Sequence, residues 1–247
     1  MTTPKIVACY VVCNEERLIA DSLRSVKAYV DAYVIVDSVF TSNSINATHS
    51  TDQTRAVCER ICHPVPLTYI EAQEKISEQQ ARNVYINQVP DGDWILWLDG
   101  DEVLYGDNAT LNKVFKEIRE GKIKHAMSCR VYTTAVLCHG LGKDVPAEAY
   151  AVNPRINTFG YQTKLYQKQA GYHHKEVRIK QQGNKIELTY EDACYDADDI
   201  LVTDRNRNPT DLMFVINHHV SQTHQEYVSD CIWALKQRPD QLPPPPK

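Results

Sequence analysis

The sequence predicts an α/β fold with a parallel, doubly wound central sheet, and three observations support this. The first hundred residues alternate between strand and helix patterns in the order β-α-β-α-β-α-β. The strand segments are continuous apolar runs, which are typical of strands buried on both faces of a sheet. The chain has 247 residues, 43% of them hydrophobic, which suffices for one large domain with a substantial core.

Four apolar segments supply the predicted strands, at residues 5–13, 33–36, 65–70 and 94–98. The third is expected near an edge of the sheet, because a proline within it cannot donate to a strand ladder. Three helices connect these strands, and each is expected to begin at a capping residue. The caps are Asn14, the segment Ser50-Thr51-Asp52, and Ser77, and the helices run to about residues 30, 62 and 89.

The second half of the chain has a different pattern. Strands are predicted at residues 125–135, at 162–167 and within 172–190, with a glycine-containing loop at 140–142 and a helix at 222–235. Residues 239–247 are proline-rich and predict an extended tail. We therefore expect a single domain over residues 1–238, with one functional half at 1–105 and another at 106–238.

Composition excludes several classes of protein. The net charge of −5 argues against broad nonspecific binding to nucleic acid. No apolar run approaches the roughly 18 residues that span a bilayer, and the first residues lack a signal-peptide pattern, so we expect a soluble, cytoplasmic protein. The eight cysteines form no C-x-x-C pair, which favours buried free thiols over a zinc site.

Charge is unevenly distributed along the second half. Residues 161–185 contain six Lys or Arg and one acid, whereas residues 187–211 contain eight acids and two Arg. Such blocks are usually solvated surface. A basic segment that faced a functional site would instead favour an anionic substrate.

The most informative segment is an apolar strand that ends in Asp99-Gly100-Asp101-Glu102. Ligands of open α/β sheets bind at the carboxyl ends of the strands. Two carboxylates one residue apart are costly to hold together without a cation. Hard oxygen ligands suit Mn²⁺ or Mg²⁺, with substrate phosphates completing the shell. A solvated acidic turn after a core strand is the alternative interpretation.

Four motifs follow the predicted strands in order, and their spacing is more specific than any one of them. They are Cys13-Asn14-Glu15-Glu16, Val36-Asp37-Ser38 with Ser50-Thr51-Asp52-Gln53-Thr54, Gln80-Ala81-Arg82-Asn83, and Leu98-Asp99-Gly100-Asp101-Glu102. Together they resemble the family-2 glycosyltransferases, most closely over residues 5–105 and more weakly to about residue 235. The resemblance implies a GT-A fold, the Rossmann-like fold of nucleotide-diphospho-sugar transferases, with a mixed, mainly parallel central sheet. Residues 39–49 depart from the family pattern as an insertion.

The resemblance implies that the first half binds a nucleotide sugar, either a UDP- or a GDP-sugar. By the family's pattern, the Asn14-Glu15 turn lies beside the nucleobase of the donor, and Asp37 accepts a hydrogen bond from that nucleobase. Arg82 lies near the diphosphate, whose geometry a guanidinium matches. Asp99 lies near the ribose and the metal, and Asp101 ligates the metal, which is Mn²⁺ or Mg²⁺.

The predicted chemistry also needs residues of the second half. An inverting transfer to a hydroxyl requires one carboxylate as general base, and the sugar passes through an oxocarbenium-like state. Glu176, in His173-His174-Lys175-Glu176, is similar to the family's short His-Glu segment and is the preferred base. Asp192 resembles the Glu-Asp form of the base motif, with a solvated acidic loop as the alternative. His219 resembles a further metal ligand of the family, and a structural role at a strand end is equally open.

Two other functions stay open at this point. A haloacid-dehalogenase-type phosphatase would use Asp99 and Asp101, with Asp198-Asp199 as later metal ligands, but its D-x-D normally follows the first strand and here it follows the fourth. A non-catalytic nucleotide-sugar or glycan-binding protein would lack a base, and two candidates are present. The predicted function is therefore a metal-dependent, inverting glycosyltransferase acting on a hydroxyl acceptor. The acceptor itself is left open among glycans, lipids, proteins, small molecules and modified nucleic-acid bases.

Overall fold

The computed structural model describes residues 3–41, 43–105, 108–123, 127–133, 158–175, 179–182, 185–188, 194–199, 202 and 213–216. Its elements, in chain order, are β1 (Ile6–Val12), α1 (Ile19–Val26), β2 (Ala32–Asp37), α2 (Thr54–Cys62), β3 (Leu67–Glu71), α3 (Glu78–Gln88), β4 (Trp94–Asp99), β5 (Glu102–Tyr105), α4 (Asn108–Arg119), β6 (Met127–Thr133), β7 (Thr158–Gln167), β8 (His173–His174), β9 (Ile179–Gln182), β10 (Lys185–Leu188), β11 (Cys194–Tyr195) and β12 (Met213–Ile216).

The described strands form an eight-stranded sheet with the order β3-β2-β1-β4-β7-β6-β12-β5. The first four strands of the chain pair with one another in parallel, and β12 is parallel to β6. Strand β7 runs antiparallel to both β4 and β6, and β5 runs antiparallel to β12. The sheet is therefore mixed, and it joins strands from both halves of the chain. Strand β3 lies at an edge of the sheet, as predicted from the proline in the segment 65–70, and the observed strand begins just after that proline.

Helices cover both faces of the parallel part of the sheet. Alternate residues of β1 and β4, such as Ala8 and Leu96, pack against α1, α2 and α4. Their neighbours in sequence, such as Cys9 and Trp97, point to the other face and pack against α3. Because strand side chains alternate between faces, both faces of these strands are apolar, which explains the continuous apolar runs in the sequence.

The structure confirms most of the predicted elements of the first half. The four strands lie where expected, and α3 begins after Ser77, which forms a capping box with Gln80. The prediction that Asn14 caps the first helix is wrong, because α1 begins only at Ile19 and its N-cap is Leu18. The sequence interpretation also missed β5 and α4. The predicted loop at 140–142, helix at 222–235 and tail at 239–247 lie outside the described residues.

The five cysteines whose side chains the structure describes are free thiols, and they are Cys9, Cys13, Cys58, Cys62 and Cys194. Cys9, Cys58, Cys62 and Cys194 are buried, and burial raises the pKa of each thiol. Within the part of the chain that the structure describes, no helix is both long and apolar enough to cross a bilayer.

Candidate functional site

The carboxyl ends of three parallel strands meet at one edge of the sheet. Val12 of β1 is paired with Asp37 at the end of β2, and Val11 is paired with Asp99 at the end of β4. The residues that follow β1 and β4, and the side chain that ends β2, therefore lie side by side. This edge brings together the first-half residues that the sequence singled out.

Two loops interlock above this edge, the Asn14 loop (residues 13–16) and the Ser50 loop (residues 50–54). The Asn14 N–H donates to Ser50 Oγ at 2.8 Å, and Asn14 Oδ1 accepts from the Thr51 N–H at 2.8 Å. The Glu15 N–H donates to Thr54 Oγ1 at 2.7 Å. The two loops therefore share backbone hydrogen bonds that neither could satisfy alone.

Glu16 and Asp52 extend the same interlock. The Glu16 N–H donates to Asp52 Oδ2 at 3.2 Å, and Glu16 Oε2 accepts from the Gln53 N–H at 3.0 Å. Asp52 Oδ1 also accepts from the Thr54 N–H at 3.0 Å. The N-E-E and S-T-D-Q-T motifs are thus joined by hydrogen bonds into a single pair of packed loops.

Asp37 supports the Ser50 loop from below. Its Oδ1 accepts from both the N–H and the hydroxyl of Ser50 at 2.7 Å, and its Oδ2 accepts from the Tyr69 hydroxyl at 2.7 Å. Asp37 is 1% exposed. Its carboxylate is buried beneath the Ser50 loop. The predicted hydrogen bond from a nucleobase therefore requires this loop to move.

The Asp99-Gly100-Asp101 turn lies at the open edge beside these loops. The side chain of Asp99 is 40% exposed, whereas Arg82, which donates to Asp99 Oδ1 at 3.1 Å, is 1% exposed. Arg82 also pairs with Glu78 on the same helix. The guanidinium therefore orients Asp99 from inside the protein, close to the edge where the sequence predicted a diphosphate.

The turn has a second support, from Glu102. Glu102 Oε2 accepts from the Asp99 N–H at 3.1 Å and from Lys164 Nζ at 2.7 Å. Lys164 Nζ also lies 3.5 Å from the centroid of the Trp97 ring, and Arg82 Cζ lies 4.3 Å from it. Burial raises the pKa of Glu102, with Asp99 and Asp101 adding to the effect and Lys164 opposing it.

Carboxylates are concentrated at this edge. Burial, together with Asp101, Asp99 and Asp52, raises the pKa of Glu15 to about 8. Glu15 also packs against the turn, since a Cβ on Gly100 would lie 2.9 Å from Glu15 Cγ. The negative field that perturbs Glu15 is the kind of environment that favours a bound cation.

Among the described residues, no three His, Cys, Asp or Glu side chains converge closely enough to hold a metal ion by themselves. The oxygen donors of Asp99 and Asp101 nevertheless fit Mn²⁺ or Mg²⁺, which commonly bind through one or two carboxylates plus substrate phosphates. Three predicted site residues, Glu176, Asp192 and His219, lie outside the described residues.

Glu102 and Lys164 were not predicted as site residues. Lys164 was placed in the basic segment and in a predicted strand, next to the apolar pair Leu165-Tyr166, but it was given no role in the site. A lysine in such a strand needs a buried partner. The apolar neighbours of Lys164 were therefore a signal that it is buried and paired. They could not identify the partner, because Glu102 lies 62 residues away in the sequence.

A comparison with protein families matches the profile described as Glycosyl transferase family 2 over residues 8–175. The chain belongs to this family. Together with the mixed, mostly parallel sheet and its covering helices, membership confirms the predicted GT-A fold and the predicted class of enzyme, a glycosyltransferase. The match to this family favours a glycosyltransferase over the two alternatives that the sequence had left open, a phosphatase and a non-catalytic binding protein.

Among solved structures, the chain is similar to TarS of S. aureus. It shares 20% identity with one TarS structure, with a TM-score of 0.40, over 66% of this chain and 28% of that one. For TarS 1–349, and for TarS 1–349 in complex with UDP, the identity is 19% and the TM-score 0.41, over 66% of this chain and 47% and 46% of those. The match thus spans less than half of each TarS chain. No curated protein matches the sequence significantly.

Proposed function

We propose that this glycosyltransferase moves a sugar, with inversion and with a divalent metal, from a nucleoside-diphosphate sugar to a hydroxyl acceptor. The observation that carries the proposal is the convergence of Glu15, Asp99 and Asp101 at one edge of the sheet, where Glu15 packs against the turn. Burial raises the pKa of Glu15, and the charges of Asp101 and Asp99 add to the effect. Family membership supplies the reaction class. An acidic edge of this kind is suited to a diphosphate only when a cation lies between them.

The two halves of this edge suit the two parts of the proposed donor. The interlocked Asn14 and Ser50 loops form the side where the nucleoside would lie, with Glu15 and Asn14 nearest to it. The diphosphate would lie over Asp99 and Asp101. Arg82 reaches this region through Asp99, whose carboxylate it holds in place.

Asp101 and Asp99 would hold Mn²⁺ or Mg²⁺, with His219 proposed as a further ligand. When bound, the metal neutralises charge on the departing diphosphate. The general base is proposed to be Glu176, with Asp192 as the second candidate. The base takes the proton of the acceptor hydroxyl as its oxygen bonds to the anomeric carbon, and the bond from that carbon to the phosphate oxygen breaks.

The acceptor is proposed to be a hydroxyl compound, and its charge is a separate question. The basic segment 161–185 suggested an anionic acceptor. Three of its side chains are described, and each pairs with a carboxylate of the protein: Lys164 with Glu102, Lys168 with Asp91, and Lys175 with Asp199. These three lysines therefore give no support to an anionic acceptor.

Donor binding is tested by thermal stabilisation with a panel of UDP- and GDP-sugars, each with Mn²⁺, with Mg²⁺ and with EDTA. A ligand at 100 times its Kd stabilises the native state by about 2.7 kcal/mol. We expect one nucleotide series to stabilise the protein only with metal, and Asp101→Asn to abolish the effect. Asp91→Asn is the matched control, because Asp91 is an exposed carboxylate that precedes β4, at the opposite edge of the sheet. Stabilisation that survives in EDTA would contradict metal dependence.

The base is tested by Glu176→Gln and Asp192→Asn in a transfer assay. Loss of the general base should lower transfer by a factor of about 10²–10⁴ while donor-dependent stabilisation is retained. If only Asp192→Asn has this effect, the preference for Glu176 is wrong. The anomeric configuration of the product, read by NMR, tests inversion.

A further inference from the structure

A buried ion pair lies directly behind the Asp99-Gly100-Asp101 turn. Lys164 Nζ is 2.7 Å from Glu102 Oε2, and each side chain is 1% exposed. The same oxygen of Glu102 accepts a hydrogen bond from the Asp99 N–H at 3.1 Å. A single carboxylate oxygen therefore connects β7, in the second half of the chain, to the first residue of the turn.

The end of the turn is fixed by α1. The Ser22 hydroxyl donates to the carbonyl of Glu102, and the Leu104 N–H donates to Ser25 Oγ at 3.0 Å. With the Asp99 N–H held by Glu102 and the Asp99 side chain held by Arg82, both ends of the turn are anchored. Between these anchors lie Gly100, which packs against Glu15, and the half-buried Asp101.

Stability alone does not account for this ion pair. Replacing a buried ion pair with apolar residues of similar volume is often neutral or stabilising, because desolvation offsets the attraction. The second oxygen, Glu102 Oε1, is buried and receives no hydrogen bond from any described residue, which adds to the cost of burying the carboxylate. The pair is better explained by the conformation it imposes on the turn.

We propose that Glu102 is a positioning residue for binding of the donor diphosphate, and that Lys164 is the counter-charge of its buried carboxylate. Glu102 fixes the Asp99 N–H and thereby the spacing of the two carboxylates at the turn, whereas Lys164 balances the charge of Glu102. This inference rests on the proposed function, since it gives Glu102 a part in binding the donor.

Two double variants separate a positioning role from a purely structural one. Glu102→Gln/Lys164→Met removes both charges and keeps an acceptor oxygen for the Asp99 N–H. Glu102→Met/Lys164→Met removes both charges and the acceptor, at nearly the same side-chain length. The second variant buries fewer polar side-chain groups but removes the acceptor of the Asp99 N–H, so the two effects on stability oppose each other. Thermal unfolding is therefore measured for both variants, and their affinities are compared well below both unfolding temperatures. A weaker affinity of the second variant would then not result from unfolding.

Nucleoside-diphosphate affinity is measured by calorimetry in the presence of Mn²⁺, and transfer kinetics are measured alongside. We expect Glu102→Gln/Lys164→Met to bind within about threefold of the wild type, and Glu102→Met/Lys164→Met to bind about tenfold more weakly, as the loss of one hydrogen bond predicts. The KM for the donor should rise in parallel.

Equal affinities in the two double variants would overturn the inference, because they differ only in the acceptor offered to Asp99. A wild-type protein that binds no nucleoside diphosphate with either metal would overturn the proposed function and this inference together. The two failures are distinguishable, because the first requires a wild type that binds.

Discussion

Asn14 shows how a tertiary contact can override a local signal. An Asn followed by two Glu has the pattern of a helix N-terminus, but α1 begins at Ile19 and Asn14 has a φ of +55°. Its side chain, which would have capped a helix, accepts from the Thr51 N–H instead. The competing partner comes from another loop, so the sequence around Asn14 could not reveal it.

Substitutions at Asn14 should therefore separate backbone strain from hydrogen bonding. Asn14→Gly loses only the bond to Thr51, at a cost of about 1 kcal/mol. Asn14→Ala loses the same bond and must also hold a left-handed conformation, at a further cost of about 1 kcal/mol. We expect chemical denaturation to rank the stabilities as wild type, Gly, Ala. Equal stability of the two variants would contradict the strain argument.

The role of Asp37 can be decided by its neighbour Tyr69. Tyr69→Phe removes one hydrogen bond to the buried carboxylate and should cost about 1.5–3 kcal/mol, as bonds to charged groups do. If Asp37 supports the Ser50 loop, Tyr69→Phe and Asp37→Asn should weaken binding of UDP- and GDP-sugars alike. If Asp37 instead binds the nucleobase, Asp37→Asn should change the preference between UDP- and GDP-sugars, and Tyr69→Phe should not. Thermal stabilisation by the two nucleotide series is the measurement.

At the scale of elements, local patterns predicted the first half of the fold well. The apolar runs of β1, β2 and β4 are buried on both faces, so their strands are visible in sequence. The capping box of α3 is likewise local, since Ser77 and Gln80 form hydrogen bonds with each other's backbone.

Strand β5 was missed because it begins at Glu102, only three residues after β4 ends, where the acidic sequence resembles a loop. In α4, the apolar positions Leu111, Phe115 and Ile118 have helical spacing, which was the signal that could have revealed it.

The interlock of the Asn14 and Ser50 loops makes a prediction at Thr54. Its hydroxyl accepts from the Glu15 N–H and donates to Asp52 Oδ1, and Thr54 is fully buried. Thr54→Val keeps the shape, leaves the Glu15 N–H unsatisfied and removes one of the two hydrogen bonds to Asp52 Oδ1. This change should cost about 1–3 kcal/mol and weaken donor binding. Thr54→Ser is the matched control and should bind the donor almost as the wild type does. Denaturation and nucleotide titration check the two effects, and a Val variant that binds normally would separate the interlock from the donor site.

At the scale of the whole molecule, the second half of the chain completes the site formed by the first. Strand β7 pairs with β4 and carries Lys164 to the back of the turn. Strand β8 meets α3 through Asn83, whose side chain donates to the His174 carbonyl at 2.9 Å and accepts from the His174 N–H at 2.7 Å. These contacts join residues far apart in sequence, which is why motif spacing predicted the donor edge but not what supports it.

His174 makes this junction sensitive to pH. Its ring is buried against Trp97 and Tyr85, with ring centroids 5.8 and 6.0 Å apart. Burial lowers its pKa well below the usual value, and Arg82, Lys164 and His173 lower it further. The folded protein therefore keeps His174 neutral at pH values where the unfolded chain, with a histidine pKa near 6.5, is protonated.

The sign of the effect follows from proton linkage. Between the lowered folded pKa and about 6.5, the unfolded state binds the additional proton, so stability should fall as pH decreases below about 6.5, by at most about 1.4 kcal/mol per pH unit for this group. His174→Phe keeps a ring at the junction and removes the titration. Subtracting its free energy of unfolding from that of the wild type at each pH cancels the contributions of other groups, including the perturbed Glu15 and Glu102. We expect the difference in free energy of unfolding to be constant above pH 7. On acidification the wild type should lose stability relative to His174→Phe. A difference that does not change with pH would show that His174 is not held neutral in the folded protein.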